Sequence, residues 1–398
     1  MKQMFKTILM SVLLALLLTA CQKNQETPQP IPQQTPADAP AAEEAEPLQV
    51  VSYPKSIGAV GGETGTGSYQ LNIKEDGSGE ILYYEYASAN CSPLEISKGN
   101  PRIVGGGRCV VNGEYVYILK NGLPYSEDEE NAEAFCYRMN QDGSDGKEQR
   151  LGNDLVFHHT SCVVGAEEGS IYTAVSLADT ETVTVETALI KIAPEMEGYE
   201  VLAQWEGEAV DLAGVSQEKF LLTKRAQKGD RMEYRIFTLD RETGEETPLF
   251  EDKALSVTGC GMYEDTLYYT VEGESTVHTW SLKEEKSGED LTITLPDGQQ
   301  YTTVTIWDNV RDCRLQLILT NPDWEEAVRG GLDLETGAFS PVTLRLEDGD
   351  SFPYICGEGD TDFLIYTGEG TGENPEKGYM VIAKEDYWNN RPNYRSFQ

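Results

Sequence analysis

Glu114-Tyr-Val-Tyr-Ile-Leu119 returns as Ser170-Ile-Tyr-Thr-Ala-Val175, Lys219-Phe-Leu-Leu-Thr223, Thr266-Leu-Tyr-Tyr-Thr-Val271, Arg314-Leu-Gln-Leu-Ile-Leu319 and Asp362-Phe-Leu-Ile-Tyr-Thr367. Anchored on Tyr117, Tyr172, Leu222, Tyr268, Leu317 and Tyr366, the spacings are 55, 50, 46, 49 and 49 residues. Short apolar runs bounded by polar turns read as strands, and a steady period of this size reads as a repeat. A second run follows most anchors, as in Phe135-Cys-Tyr-Arg-Met139, Tyr234-Arg-Ile-Phe-Thr-Leu239 and Tyr379-Met-Val-Ile382. Gly-bearing turns come next, among them Asp240-Arg-Glu-Thr-Gly244 and Glu335-Thr-Gly337, where Gly supplies positive φ. Small-residue strands precede the anchors, as in Arg108-Cys-Val-Val111, Ser161-Cys-Val-Val164, Thr258-Gly-Cys-Gly261 and Tyr354-Ile-Cys356.

Four strands per unit of this length define a blade, so the body is expected to be an all-β β-propeller of four-stranded blades. Small residues suit the first strand because inner strands crowd a narrow channel. Residues 49–98 fit a more divergent unit, with Ser68–Ile73 as its second strand and Ile81–Tyr86 as its third. Residues 49–398 then divide into about seven blades of the observed period, with six or eight as alternatives and a β-helix or sandwich pair as the weaker one.

The amino terminus has a different character. Lys2 and Lys6 precede a nearly continuous apolar stretch, Ile8–Leu18, in the manner of an export signal. The stretch is shorter than the roughly 20 apolar residues of a membrane-spanning helix. Its end, Leu18-Thr19-Ala20-Cys21, resembles a bacterial lipobox. The resemblance implies lipidation of Cys21 and cleavage between Ala20 and Cys21. Residues 22–48 contain six Pro and no aromatic residue, which reads as a disordered tether of extended polyproline character. The organisation is therefore a signal peptide at 1–20, a lipidated Cys and tether at 21–48, and the repeat fold at 49–398.

The chain of 398 residues carries a formal charge of −37, which argues against nucleic acid or an anionic lipid surface as the main partner. The 39% apolar content, with 21 Tyr, still supplies a core. The units, with Leu267-Tyr-Tyr-Thr270, Ile365-Tyr-Thr367 and turns such as Asp142-Gly-Ser144, resemble YWTD-like propellers. Together with the ending Lys384-Glu-Asp-Tyr-Trp-Asn-Asn390, they are similar to propeller lipoproteins of Firmicutes. That resemblance implies fold and anchoring, and no particular activity.

Candidate sites are few. Beyond Cys21, seven Cys remain, and Cys109, Cys162, Cys260 and Cys356 fall at equivalent inner-strand positions, where a free thiol acts as a small buried hydrophobe. No Cys-x-x-Cys zinc spacing occurs, and adjacent His158 and His159 in a strand would point to opposite faces, so no metal or cofactor is expected. The His residues read as ordinary polar contacts. Gly-x-Ser-x-Gly, His-Glu-x-x-His and phosphate-binding glycine motifs are all missing, so no catalytic residue is assigned.

Loops joining second to third strands are the expected binding places. Tyr125 beside the acidic run Glu127–Glu130 occupies one. Lys224, Arg225, Lys228 and Arg231 make a local basic cluster read as another, and Asp323 with Trp324 occupies a third. The leading expectation is a monomeric, lipid-anchored module at the extracytoplasmic face of a bacterial cell membrane. It would bind a protein, peptide or glycan without chemistry. A carbohydrate-active hydrolase or lyase with a carboxylate pair near the channel, and a structural subunit of an envelope assembly, are the alternatives.

Overall fold

The computed structural model describes residues 47–398 apart from 53–60, 75–78, 97–106, 123–132, 180–183, 196, 229–230, 251–256, 294–300, 302, 322–326, 347–348 and 369–373. These residues form seven antiparallel sheets arranged as the blades of a β-propeller. Blade 2 shows the plan. Its inner strand Arg108–Asn112 pairs with Tyr115–Lys120, which pairs with Ala134–Asn140, which pairs with the outer strand Lys147–Gly152. All six anchor residues lie on second strands, from Tyr117 to Tyr366.

Second strands are central in their sheets and also buried on both sides by neighbouring blades, so they are apolar without clean alternation. Seven apolar clusters fill the seven junctions, from blades 1–2 around to 7–1. Successive residues serve opposite junctions. Tyr117 and Leu119 pack toward blade 3, whereas Val116 and Ile118 pack toward blade 1. Phe363 and Ile365 pack toward blade 6, and Leu364 packs toward blade 1.

The turns between third and outer strands repeat in sequence and in geometry. Asp240 Oδ1 accepts from the backbone N–H of Glu242 and Thr243 and from the Thr243 hydroxyl, and Asp333 does the same with Glu335 and Thr336. Gly244 and Gly337 follow at φ +69 and +71, a region that costs a residue with a Cβ.

The first unit departs from the sequence reading. Its strands Gly67–Ile73 and Gly79–Glu85 fall close to expectation and Asn90–Pro93 adds an outer strand, but Leu48–Ser52 does not belong to this blade. That strand pairs with the inner strand of blade 3, Leu48 against Ala166 and Ser52 against Val163. It lies in the channel as an extra innermost strand, with Leu48 and Val50 against the blade 3–4 cluster and Val51 against the blade 2–3 cluster. Blade 1 receives its inner position from 61–63 instead, where Tyr69 N–H donates to Gly62 O (2.7 Å) and Glu63 bridges Ser68. The crowding requires glycine: a Cβ on Gly62 would stand 1.8 Å from Tyr69 O.

Blades 7 and 1 close the ring without sharing a sheet. Phe397 packs with Leu82, Tyr84 and Tyr86, and the backbone of Gln398 exchanges hydrogen bonds with Ala89 and Cys91 at the outer edge of blade 1. All seven Cys among the described residues are free, with Cys109, Cys136, Cys162 and Cys356 buried.

Closure at this junction predicts that Phe397→Ala destabilises the fold by about 3–5 kcal/mol, comparable to emptying a core position within any other junction. Urea unfolding of the variant, compared with Leu317→Ala in the blade 5–6 cluster, measures it.

Candidate functional site

The two faces of the ring differ. One carries the turns between first and second strands; the other carries the connections between blades and the links from second to third strands. On this second face, the loop face, a polar cluster gathers where blades 3 and 4 meet the channel. His158 begins the link from Leu155–Phe157, a short strand paired with the blade 3 second strand, to the inner strand Val163–Ala166, so it and His159 lie in a connection and not in the expected strand. Arg108 holds that connection from blade 2, donating to the carbonyls of Ser161 (2.8 Å) and His159 (3.1 Å). Ser161 then ties the blades together: its Oγ accepts from the N–H of Ala174 (3.2 Å) and of Leu212 (3.1 Å).

His158 lies between two partners. Its Nδ1 is 2.8 Å from Asp211 Oδ1 and its Nε2 is 2.7 Å from Ser176 Oγ. A carboxylate only accepts, so in the neutral imidazole Nδ1 carries the proton and Nε2 accepts the Ser176 hydroxyl. Asp211 sits on the inner strand Ala209–Val215 of blade 4, is 5% exposed, and also accepts from Thr160 Oγ1 (3.0 Å) and pairs with Arg225 (2.7 Å). Burial pushes its carboxyl up, but the His158 hydrogen bond, the Arg225 charge and Thr160 outweigh this and hold it below the usual value. Ser176 belongs to the second strand of blade 3, Ile171–Asp179, and is half-buried.

The sequence-derived candidates fare unevenly. Arg225 joins this cluster. The basic group is not in a loop, however. Lys224, Arg225 and Lys228 lie within the strand Lys219–Lys228, and Arg231 begins the strand Arg231–Asp240, because the ladder runs to the hairpin tip with Lys228 paired to Arg231. Lys224 faces the other way, pairing with Glu208 and Glu246 over the Phe237 ring. Tyr125, Asp323, Trp324, Ala20 and Cys21 lie outside the described residues. His278 is engaged by Glu274 and Asp290 and stacks on Tyr269.

Asp211 and Ser176 escaped the sequence reading. Each was detectable as an anomaly, a charge between buried Val210 and Leu212 and a hydroxyl ending the run Ile171–Val175. His158 and Asp211 are also 53 residues apart, about one blade.

A second cluster occupies the opposite face. Arg311, at the end of a blade 6 inner strand and 2% exposed, pairs with Glu63 (2.8 Å) and approaches Glu358 (3.9 Å), which Lys384 also holds (2.7 Å). Burial pushes the Glu63 carboxyl up in spite of Arg311. These carboxylates are matched by cations from blades 6 and 7 and read as a clamp on the returning chain.

No protein-family model matches the chain, and no curated protein matches it. Among solved structures it is similar to puromycin hydrolase (12% identity, TM-score 0.48, covering 87% of this chain and 54% of the hydrolase). It is also similar to the acylaminoacyl peptidase of Pyrococcus horikoshii (12%, TM-score 0.43, 75% and 48%). A third is the β-propeller domain of the Trilobed protease from Pyrococcus furiosus (11%, TM-score 0.43, 85% and 98%). The chain thus spans about half the length of the first two. The propeller assignment rests on the seven sheets of this chain itself.

Asp211 gives the site a pH signature. A carboxyl held low in the fold contributes stability above its unfolded value, near pH ~3.9, and loses it as pH falls through the lower folded value. Asp211→Asn is therefore expected to be less stable than wild type near neutrality, with the gap closing below about pH 4. Urea unfolding of both proteins between pH 3 and 7 checks this, and a gap of constant size would contradict it.

Proposed function

We propose that the protein is an extracytoplasmic lipoprotein whose propeller binds a protein, peptide or glycan across its loop face. The observation that carries the reading is where the chain from the tether joins the ring. Leu48 pairs with Ala166 at the end of the blade 3 inner strand, on the face opposite the polar cluster. A tether joining there leaves the strand ends around His158, Thr160 and Arg225 turned away from its point of attachment. The lipobox-like Leu18–Cys21 and the Pro-rich segment after it supply the anchor and the spacer. A rigid ring with such a rim suits recognition, since binding side chains gain from placement on elements fixed by packing.

Two measurements test the reading. Cys21→Ser is expected to move the protein from the membrane fraction to the soluble one; retention in the membrane would remove the lipid anchor from the proposal. Lys228→Glu with Arg231→Glu is expected to weaken capture of envelope glycans or proteins by at least about tenfold, a loss of about 1.4 kcal/mol, without changing the melting temperature. Undiminished capture would place binding elsewhere than the loop face.

A further inference from the structure

The contacts of His158 order three groups in a line, a buried carboxylate, an imidazole and a hydroxyl. Asp211 fixes the ring by its Nδ1 bond, with Thr160 and Arg225 fixing Asp211 in turn. The imidazole lone pair on Nε2 is left aimed at the Ser176 hydroxyl at 2.7 Å. That is the arrangement of a nucleophile, its general base and the group that orients the base, and such arrays are recognised by geometry and not by sequence order. Residues 158, 176 and 211 come from a connection, a second strand and the next blade, so no linear motif announces them. Arg225 adds a cationic donor on the same rim, and its Nε is buried without a hydrogen-bond partner. Ser176 is not sealed: it is half-buried, near the loop-face end of its strand.

We infer that Ser176 is a nucleophile, with His158 as its base, that cleaves carboxylic esters by acyl transfer. The Ser176 Oγ adds to the ester carbonyl carbon, the carbonyl π pair moves to oxygen, and the hydroxyl proton passes to His158 Nε2. Collapse re-forms the carbonyl and expels the alkoxide, which takes that proton and leaves as the alcohol. Water then adds to the acyl-serine, giving a proton to Nε2. The second collapse breaks the bond to Oγ, which recovers the proton and releases the carboxylic acid. Asp211 acts as a positioning residue and offsets the charge of the imidazolium. Because Arg225 already pairs with Asp211, that offset is shared between the imidazolium and the guanidinium. Esters, with better leaving groups than amides, are the matching substrates. This goes beyond the binding proposal and does not depend on it, since the array is read from the fold with or without a lipid or a bound partner.

The test is phosphonylation of the full chain by a fluorophosphonate probe, with the modified residue located by peptide mass spectrometry. Label is expected at Ser176 in native protein and not in urea-unfolded protein. Ser176→Ala should abolish it, and His158→Gln should slow it by about 10²-fold or more, the usual contribution of a general base. Hydrolysis of p-nitrophenyl acetate by the native chain should fall in parallel. Absence of native-state label at Ser176 overturns the inference, as does equal labelling in native and unfolded protein, whichever variants fold. If Ser176→Ala only lowers the melting temperature and wild type takes no label, the array is a latch between blades 3 and 4.

Discussion

Everything in this molecule depends on second strands that are buried on both sides. In a sheet with one wet face, a strand alternates and carries one junction. Here Leu315, Leu317 and Leu319 serve blade 5, Phe363 and Ile365 serve blade 6, and Leu364 between them serves blade 1. Each strand thereby transmits packing from one junction to the next, and no blade has a finished core alone. At roughly 1.5–3 kcal/mol for each large apolar side chain fully buried, a junction holding several such residues outweighs any single polar contact around the ring. The consequence is that the ring must close. The 7–1 junction closes by an aromatic edge contact of Tyr84 with Phe397 and by main-chain bonds at Gln398, reinforced by Arg395 reaching Asp362 and the carbonyl of Ala87.

The channel presents the complementary problem, since seven inner strands cannot all meet at its axis. Part of the space is taken up by Leu48–Ser52, which satisfies its backbone against blade 3 and its apolar side chains against two neighbouring junctions. The chain then returns through Gly61 and Gly62, where the carbonyl of Gly61 accepts from Val111 N–H (2.6 Å) in blade 2. On the opposite face Glu63 reaches Arg311 of blade 6, 248 residues away. Breaking a buried pair of this kind leaves an uncompensated charge, which costs more than the intact pair contributes. The returning segment is thus held by backbone on one side and by charge on the other.

How much of this the sequence shows follows from the same physics. The period was legible because two-sided burial forces each second strand to be apolar, so six anchors could be set side by side. The turns were legible because Asp-x-Glu-Thr-Gly has a local mechanism that needs no tertiary information. The destination of Leu48–Ser52 was not legible, since alternation identifies a strand but says nothing about which edge it joins. The basic residues were misplaced in a loop because charges at a hairpin tip resemble loop composition, whereas the backbone ladder continues to Lys228 and Arg231. The polar array was hidden for a different reason. Asp211 and Ser176 each leave at most a local irregularity in an apolar run, and only the stacking of consecutive blades brings a connection, a second strand and an inner strand to one rim.

That stacking also fixes the rim. Beneath His158 lie Ala174, Val210 and Leu212, all fully buried, and above them the polar groups bond in a chain from Arg225 through Asp211 and His158 to Ser176. The apolar layer fixes the strand ends, and the hydrogen bonds fix the side-chain torsions, so the two layers constrain different degrees of freedom. The anchor proposed at Cys21 adds a third scale. A spacer of some 26 residues in extended polyproline form reaches about 80 Å, whereas a seven-residue strand spans only about 23 Å from face to face. Such a spacer would be several times longer than the ring is thick, so an attachment on one face would leave the opposite rim clear of the anchor. A ring tethered in this way would keep its rim rigid while the spacer set how far it reaches, which is the arrangement the proposed binding role needs.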